Sequence, residues 1–295
     1  MSKGIDVSHN ATVTDWNKVK AAGIDFALIR CSLRQSMDDK WVEHINGANA
    51  VGLQIGIWHF AYPLTVADAV KEANCAVSLV SKLSFKPPIF YDYEGASDEY
   101  AANHGVTMTK TLRTAIHKAF CDRVKALGYV PGIYTNPDYI LYKLEWDKLK
   151  GYALWLAAWP YGNTRKVTFD EIKPTAAPTK YGTVAIWQIG LGAVDGVKGD
   201  VDVNYGYITL PKKAAATVST PATVTTAAFK VGDRVSVKTY TKLLGVKRAK
   251  LYGSNKRFVI YKDVYDVQNV SGKRIVIGFD GKATAAVDAS ILAKV

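Results

Sequence analysis

Ile89-Phe90-Tyr91-Asp92-Tyr93-Glu94-Gly95 is the stretch on which the reading of the fold turns. Apolar and aromatic residues lead into two acids and stop at a glycine, as a buried strand does on reaching the rim of a sheet. Side chains alternate along a strand, so Asp92 and Glu94 fall on one face, about 6.6 Å apart along it. Desolvating two carboxylates beside aromatic packing is costly, and the pair therefore points to chemistry.

Seven further strand-like runs flank this one: Gly4–Ser8, Phe26–Cys31, Gln54–Ala61, Val130–Tyr134, Ala153–Ala158, Val184–Ile189 and Val201–Tyr205. Amphipathic helices separate several of them. One is capped by Thr65 and repeats Val70, Ala73, Val77 and Val80, and another carries Leu112, Ile116, Phe120, Val124 and Leu127 before stopping at Gly128. A shorter helix from Asp15 to Ala22 ends at Gly23. Alternating strands and helices predict a parallel sheet with right-handed crossovers, and eight strands predict a closed barrel. The glycine-rich run from Ile189 to Val201 is too short for a crossover helix, so the barrel is expected to be irregular, with its late helices missing. In such folds reactive groups gather at the C-terminal ends of the strands. Asp6 ends strand one, Trp187 and Gln188 lie in strand seven, and Asp202 belongs to the Asp200-Val201-Asp202-Val203-Asn204 block of strand eight.

Glycoside hydrolysis is the chemistry that wants paired carboxyls: one protonated, to give its proton to the leaving oxygen, and one ionised at the anomeric carbon. Like charges in one site push the two proton affinities apart and so produce that division. Trp58, Tyr62, Tyr134, Trp155, Trp159 and Trp187 are candidate platforms for sugar rings, with about half of them expected to line the groove and the rest to be core.

Five blocks in order then carry a resemblance: Gly4-Ile5-Asp6-Val7-Ser8-His9, Gly56-Ile57-Trp58-His59-Phe60-Ala61-Tyr62, Phe90-Tyr91-Asp92-Tyr93-Glu94, Gly132-Ile133-Tyr134-Thr135-Asn136, and Trp187-Gln188 with Val201-Asp202-Val203-Asn204. Across about residues 4 to 207 the chain resembles the muramidases of glycoside hydrolase family 25, common among phage endolysins. The resemblance implies an irregular β/α barrel that cleaves the β-1,4 bond between N-acetylmuramic acid and N-acetylglucosamine in peptidoglycan. It implies Glu94 as general acid, with Asp92, Asp6 and Asp202 as the other catalytic carboxyls. Tyr62, Tyr134, Trp159, Trp187 and Gln188 are the expected substrate contacts, and no metal or cofactor is expected. Trp58 stands where the family commonly has tyrosine, which bears on a sugar contact and leaves the acid chemistry untouched. Two readings compete: a metal-dependent polysaccharide deacetylase built on Asp6, His9, His59, Asp92 and Glu94, and a wall-binding protein without activity. The first lacks HxH or HExxH spacing, and the second has no need of the acid pair.

The chain has 295 residues, a mass of 32.2 kDa, 48% hydrophobic and 22% charged residues, which excludes a wholly disordered protein and favours two domains. No run approaches the roughly 18 apolar residues of a membrane span. The formal charge is +12, unevenly spread: Phe229–Val295 holds 14 Lys+Arg against 5 Asp+Glu, whereas the preceding 228 residues hold 24 against 21. The expected division is a catalytic barrel over 1–210, an Ala/Thr/Ser-rich tether over 211–227, and a small SH3-like β-module over 228–295 that binds cell wall. Peptidoglycan is the expected partner, with anionic wall polymers as a further one for the basic module. Nucleic acid and membrane insertion are not expected. Met1-Ser2-Lys3-Gly4 enters a strand with no apolar signal core, and Cys31, Cys75 and Cys121 form no CxxC. Synthesis in a host cytoplasm, reduced cysteines and action on the wall after release are the expectations that follow.

Overall fold

The computed structural model describes residues 1–213, 229–238, 240–243, 246–254 and 256–295, in two units divided between Ala216 and Thr217. Most of the expected tether, 214–227, lies outside the described residues. Its first residue, Pro211, is tied to the first unit, because its carbonyl accepts from the Ile55 amide at 2.7 Å.

Eight strands close the first unit: β1 (Ser2–Val7), β2 (Phe26–Leu33), β3 (Gln54–Phe60), β4 (Ile89–Asp92), β5 (Pro131–Thr135), β6 (Ala153–Ala157), β7 (Val184–Ala193) and β8 (Asp200–Gly206). They pair in the order β1-β8-β7-β6-β5-β4-β3-β2, and β2 returns to β1. Helices α1 (Trp16–Ala21), α2 (Trp41–Ala50), α3 (Val66–Val80), α4 (Gly95–Asn103) and α5 (Lys110–Ala126) fill the early connections. After Ala126 the described residues of this unit form only π and 3-10 turns between strands, so the late helices are missing as the sequence led one to expect. The capping signals are met. Thr65 and Asp68 close a reciprocal capping box on α3, and Gly128, at φ +81°, follows α5.

One expectation fails. The sheet is not wholly parallel, because β8 runs antiparallel to both β7 and β1. A parallel connection needs a dozen residues or more, and the short link between β7 and β8 permits only a hairpin. Reversal puts the first half of β8, rather than its end, at the barrel mouth, and Asp202 pairs directly with Asp6 across the β1–β8 ladder.

Alternation then divides the strands cleanly. Outward residues such as Ile5, Ile29, Ile57, Tyr91 and Ile133 pack under the helices. Inward, Phe26, Leu28, Phe90, Trp155, Ile186 and Leu210 fill the floor of the barrel. Small residues make room for the large ones: a Cβ on Gly132 would collide with the Phe90 ring, and one on Gly4 with Phe26. The apolar plug occupies the lower barrel, which leaves polar inward positions only near the mouth.

The second unit is all-β. A five-stranded antiparallel sheet (Lys282–Asp288, Arg274–Phe279, Tyr265–Ser271, Arg234–Val237, Leu292–Lys294) accompanies a three-stranded one (Thr241–Leu243, Val246–Lys250, Arg257–Val259). Val235, Val267, Ile275, Ile277 and Val287 form its core. Asp280 and Gly281 both take positive φ, +50° and +71°, as a tight type I′ hairpin requires. Tyr265 belongs to the core, whereas Tyr240, Tyr252 and Tyr261 are exposed. No described helix is long and apolar enough to cross a membrane.

Candidate active site

Four carboxyl groups meet at the barrel mouth. Asp6 comes from β1, Asp92 from the last residue of β4, and Asp202 from the start of β8. Glu94 lies two residues past β4, still extended (φ −128°, ψ −171°), as the N-cap of α4. The side chains of β4 alternate as expected: Asp92 and Glu94 line the mouth, and Tyr93 turns outward to donate to Asp98 at 2.8 Å. Glu94 is anchored through its backbone, whose amide donates to Ser97 Oγ at 3.2 Å, while that hydroxyl donates to the Ala61 carbonyl at 2.7 Å. Its carboxyl therefore stays available to the cleft.

Asp6 is held by two amides. Asn204 Nδ2 and Gln188 Nε2 both donate to its Oδ2, at 2.8 and 3.0 Å. Indole N–H groups only donate, and this fixes both amides. Trp155 Nε1 donates to Asn204 Oδ1 at 2.9 Å, and Trp159 Nε1 donates to Gln188 Oε1 at 3.0 Å, so each amide must turn its NH2 to Asp6. Tyr134 Oη also donates to Gln188 Oε1, at 3.0 Å. Asp92 has no such clamp: it is 5% exposed, and its Oδ1 has no hydrogen-bond partner among the described residues. Arg30, stacked 5.2 Å from the Trp58 ring centroid, lines the same cavity but is engaged by Asp38 at 2.7 Å and by His9.

Crowding four acids under partial burial raises all their proton affinities. Burial pushes Asp6 up to about 6, against the pull of the Asn204 and Gln188 amides. Burial, then the charges of Asp6 and Glu94, carries Asp202 to about 8. Asp92 is raised well above the carboxylate range by burial, then by Glu94 and Asp6, with Arg30 opposing. Glu94 is raised by burial, with the nearby Tyr134 hydroxyl opposing. Such groups titrate as one set, and at neutral pH the set holds protons on some members and charge on others.

Two adjoining hollows share Glu94 and Tyr134: one of about 350 Å³ over the carboxyls and one of about 1140 Å³ running away across Trp159, Tyr181 and Asn136. Of the expected sugar contacts, Tyr134 and Trp159 line the larger hollow. Trp187 borders it but is 2% exposed, with its indole N–H donating to the Ala158 carbonyl. Gln188, 3% exposed, spends all its hydrogen bonds inside the protein and acts on Asp6. Tyr62 lines neither hollow and packs between Phe60 and Tyr100. Trp58 and Trp155 border the smaller one.

The five residues of the metal alternative are not brought together. His59 points outward from β3, bonded to Ser32 at 2.8 Å and 3.5 Å from the buried Glu72 beneath α3. The three cysteines are unpaired, two of them buried. Sequence reasoning gave no role to Asn204, or to Trp155 and Trp159 as amide locks, and it passed over Arg30. The last had a signal, since it is a lone charge in the apolar run Phe26-Ala27-Leu28-Ile29-Arg30-Cys31.

The family model for Glycosyl hydrolases family 25 matches residues 5–190, stopping before β8, so that Asp202 and Asn204 lie beyond the match. Lysozyme M1 of Streptomyces globisporus is 28% identical over 217 residues, which cover 68% of this chain and 66% of that protein. The bacterial lysozyme from Streptomyces coelicolor is similar in structure, with a TM-score of 0.53 and 25% identity over 70% of this chain and 93% of that one. The modular autolysin LytC from Streptococcus pneumoniae, solved in complex with synthetic peptidoglycan ligand, gives a TM-score of 0.57 at 24% identity, over 69% of this chain and 46% of that one. The chain thus spans just under two thirds of its curated relative and about half of LytC.

Proposed function

The chain belongs to glycosyl hydrolases family 25, and from that premise we propose that it hydrolyses peptidoglycan at the β-1,4 bond from N-acetylmuramic acid to N-acetylglucosamine. The observation that carries the reading is the set of four mouth carboxyls, all with raised proton affinity, opening onto a groove with aromatic walls. A protonated Glu94 hands its proton to the glycosidic oxygen as the bond to the anomeric carbon breaks. Asp92, whose Oδ1 has no partner among the described residues, orients the acetamido group of the sugar. The carbonyl oxygen of that group bonds to the anomeric carbon as the leaving oxygen departs. Water that gives its proton back to Glu94 then adds at the same carbon and frees the acetamido group. Asp6 supplies negative charge as positive charge develops on the sugar ring, whereas Asp202 is mostly protonated at neutral pH. The amide clamp on Asp6 keeps that group the more readily ionised of the two, about 6 against about 8.

Glu94→Gln tests the acid. The variant is expected to release new reducing ends from purified peptidoglycan at least about a thousandfold more slowly than wild type, with an unchanged melting temperature. Near-native release would remove Glu94 from the role. The similarity to two proteins named as lysozymes, Lysozyme M1 and that of Streptomyces coelicolor, supports the same activity.

The basic second unit is assigned to wall attachment, where an SH3-like barrel with surplus lysine meets an insoluble polyanion and raises the local enzyme concentration. A chain ending at residue 216 should then sediment less with purified walls than the full chain, and equal sedimentation would refute the assignment. A phage endolysin, released from a host cytoplasm onto the wall, is the setting that fits this division of labour.

A further inference from the structure

The larger hollow does not stop at the sugar platforms. Lys173, Lys180 and Tyr181 also line it, and a further hollow of about 850 Å³ shares Lys180 and Tyr181 and continues to Trp146. Trp146 Nε1 donates to the Tyr181 carbonyl at 2.8 Å, so the two hollows have a common, fixed wall. At about 1140 Å³ the main hollow already exceeds the roughly 300–1,000 Å³ of an ordinary small-molecule pocket.

Charge is divided along this groove. The end over the reaction centre is lined by Asp6, Asp92, Glu94 and Asp202 and repels anions. Further along, the acids on the wall are compensated: Glu171 is paired with Arg165 at 2.8 Å, and Asp138 lies 4.0 Å from Lys143. Lys173 and Lys180 are the cations of the main hollow, and among the described residues neither has a carboxylate partner. Lys180 instead rests its ammonium 4.9 Å from the Tyr181 ring centroid. The sugar backbone of the polymer is neutral, and its negative charge sits on the carboxylates of the short peptides borne by the lactyl groups.

We infer that Lys173 and Lys180 form a subsite for the peptide carboxylates of a peptidoglycan strand, set at the far end of the groove from the acid mouth. The subsite rests on the function proposed above and refines it. The enzyme reads the strand at two places, sugar at Trp159 and acidic peptide beyond it. A strand is then favoured in the register that keeps its anions away from Asp92 and Glu94. Electrostatic complementarity of this kind selects register and partner more than it adds raw affinity.

The test compares peptidoglycan strands that carry their peptides with the same strands stripped of peptide by an amidase. Full-length wild type, Lys173→Ala/Lys180→Ala and Lys173→Arg/Lys180→Arg are each measured for strand affinity and for release of reducing ends. The ratio of affinities, peptide-bearing over stripped, should fall by about fivefold in the double alanine variant and recover in the double arginine variant. The wild-type ratio should also shrink as salt rises. An unchanged ratio, or equal losses on both polymers, overturns the subsite whatever the activity. Lysine-dependent binding of peptide-bearing strands without any hydrolysis by wild type would instead keep the subsite and overturn the proposed function.

Discussion

Two carboxylates on opposite sides of one segment, one buried and one half-buried, behave in opposite ways. Asp92 faces the barrel mouth, with one oxygen unpartnered among the described residues and a proton affinity far above normal. Asp98, six residues on and behind the barrel wall, receives Tyr93 and Tyr139 hydroxyls at 2.8 and 2.9 Å and Arg113 at 2.8 and 2.9 Å. Burial alone would push Asp98 up, but these bonds from Tyr93, Arg113 and Tyr139 outweigh it and hold its carboxyl below the ordinary value. An acid that builds structure is satisfied and stays ionised. Asp92, kept for chemistry, is left short of partners and holds a proton.

Exchanging the roles should expose that contrast most strongly. Asp92→Asn is expected to cut turnover by about a hundredfold or more while leaving the melting temperature unchanged or slightly higher, since a desolvated acid is removed. Asp98→Asn should do the reverse, lowering stability by about 2–3 kcal/mol and leaving turnover of the folded protein within about threefold. Denaturant unfolding and reducing-end assays on both variants read this directly. A large loss of stability in Asp92→Asn would break the comparison.

Acid-dependent stability sharpens it next. Asp98, depressed when folded, contributes stability that is present above its unfolded pKa and is lost as pH falls through the lower folded value. Asp202 works with the opposite sign. Its folded pKa of about 8 makes its contribution full below the unfolded value near 3.8 and lost as pH rises through about 8. Between pH 5 and 8, then, the melting temperature of wild type should decline more than that of Asp202→Asn. Parallel curves would show that Asp202 titrates normally.

A smaller effect tests the clamp on Asp6. Trp159→Phe keeps an aromatic face in the groove but removes one of the two donors to Gln188 Oε1, leaving Tyr134 Oη alone to orient the amide, so that its grip on Asp6 loosens. The pH–rate limb governed by Asp6 should move upward by about half a unit, while Trp159→Leu, which loses both ring and donor, should show that shift together with a raised KM. A profile that stays fixed in Trp159→Phe would mean the indole N–H does not control the amide.

Much of this was legible in the sequence. All eight barrel strands, the cap at Thr65, the end of α5 at Gly128 and the alternation of Asp92, Tyr93 and Glu94 follow from periodicity and local turn chemistry. What escaped was long-range. The reversal of β8 was implicit in the short glycine-rich link, yet the same reading kept the strand parallel. The amide locks depend on tryptophans 49 and 29 positions from the side chains they fix, which no local pattern announces. Tyr62 stands two residues past β3, where alternation no longer governs which way a side chain turns.

Site-resolved titration of the Asp and Glu side-chain carboxyls by carbon-13 NMR, on the intact protein without substrate, reaches the centre of the account. The midpoint assigned to Asp6 should fall near 6 and that of Asp202 near 8, Asp92 should hold its proton beyond the ordinary range, and Asp98 should titrate below 3.8. Mouth carboxyls that all lose their protons near pH 4, alongside Asp98, would contradict it.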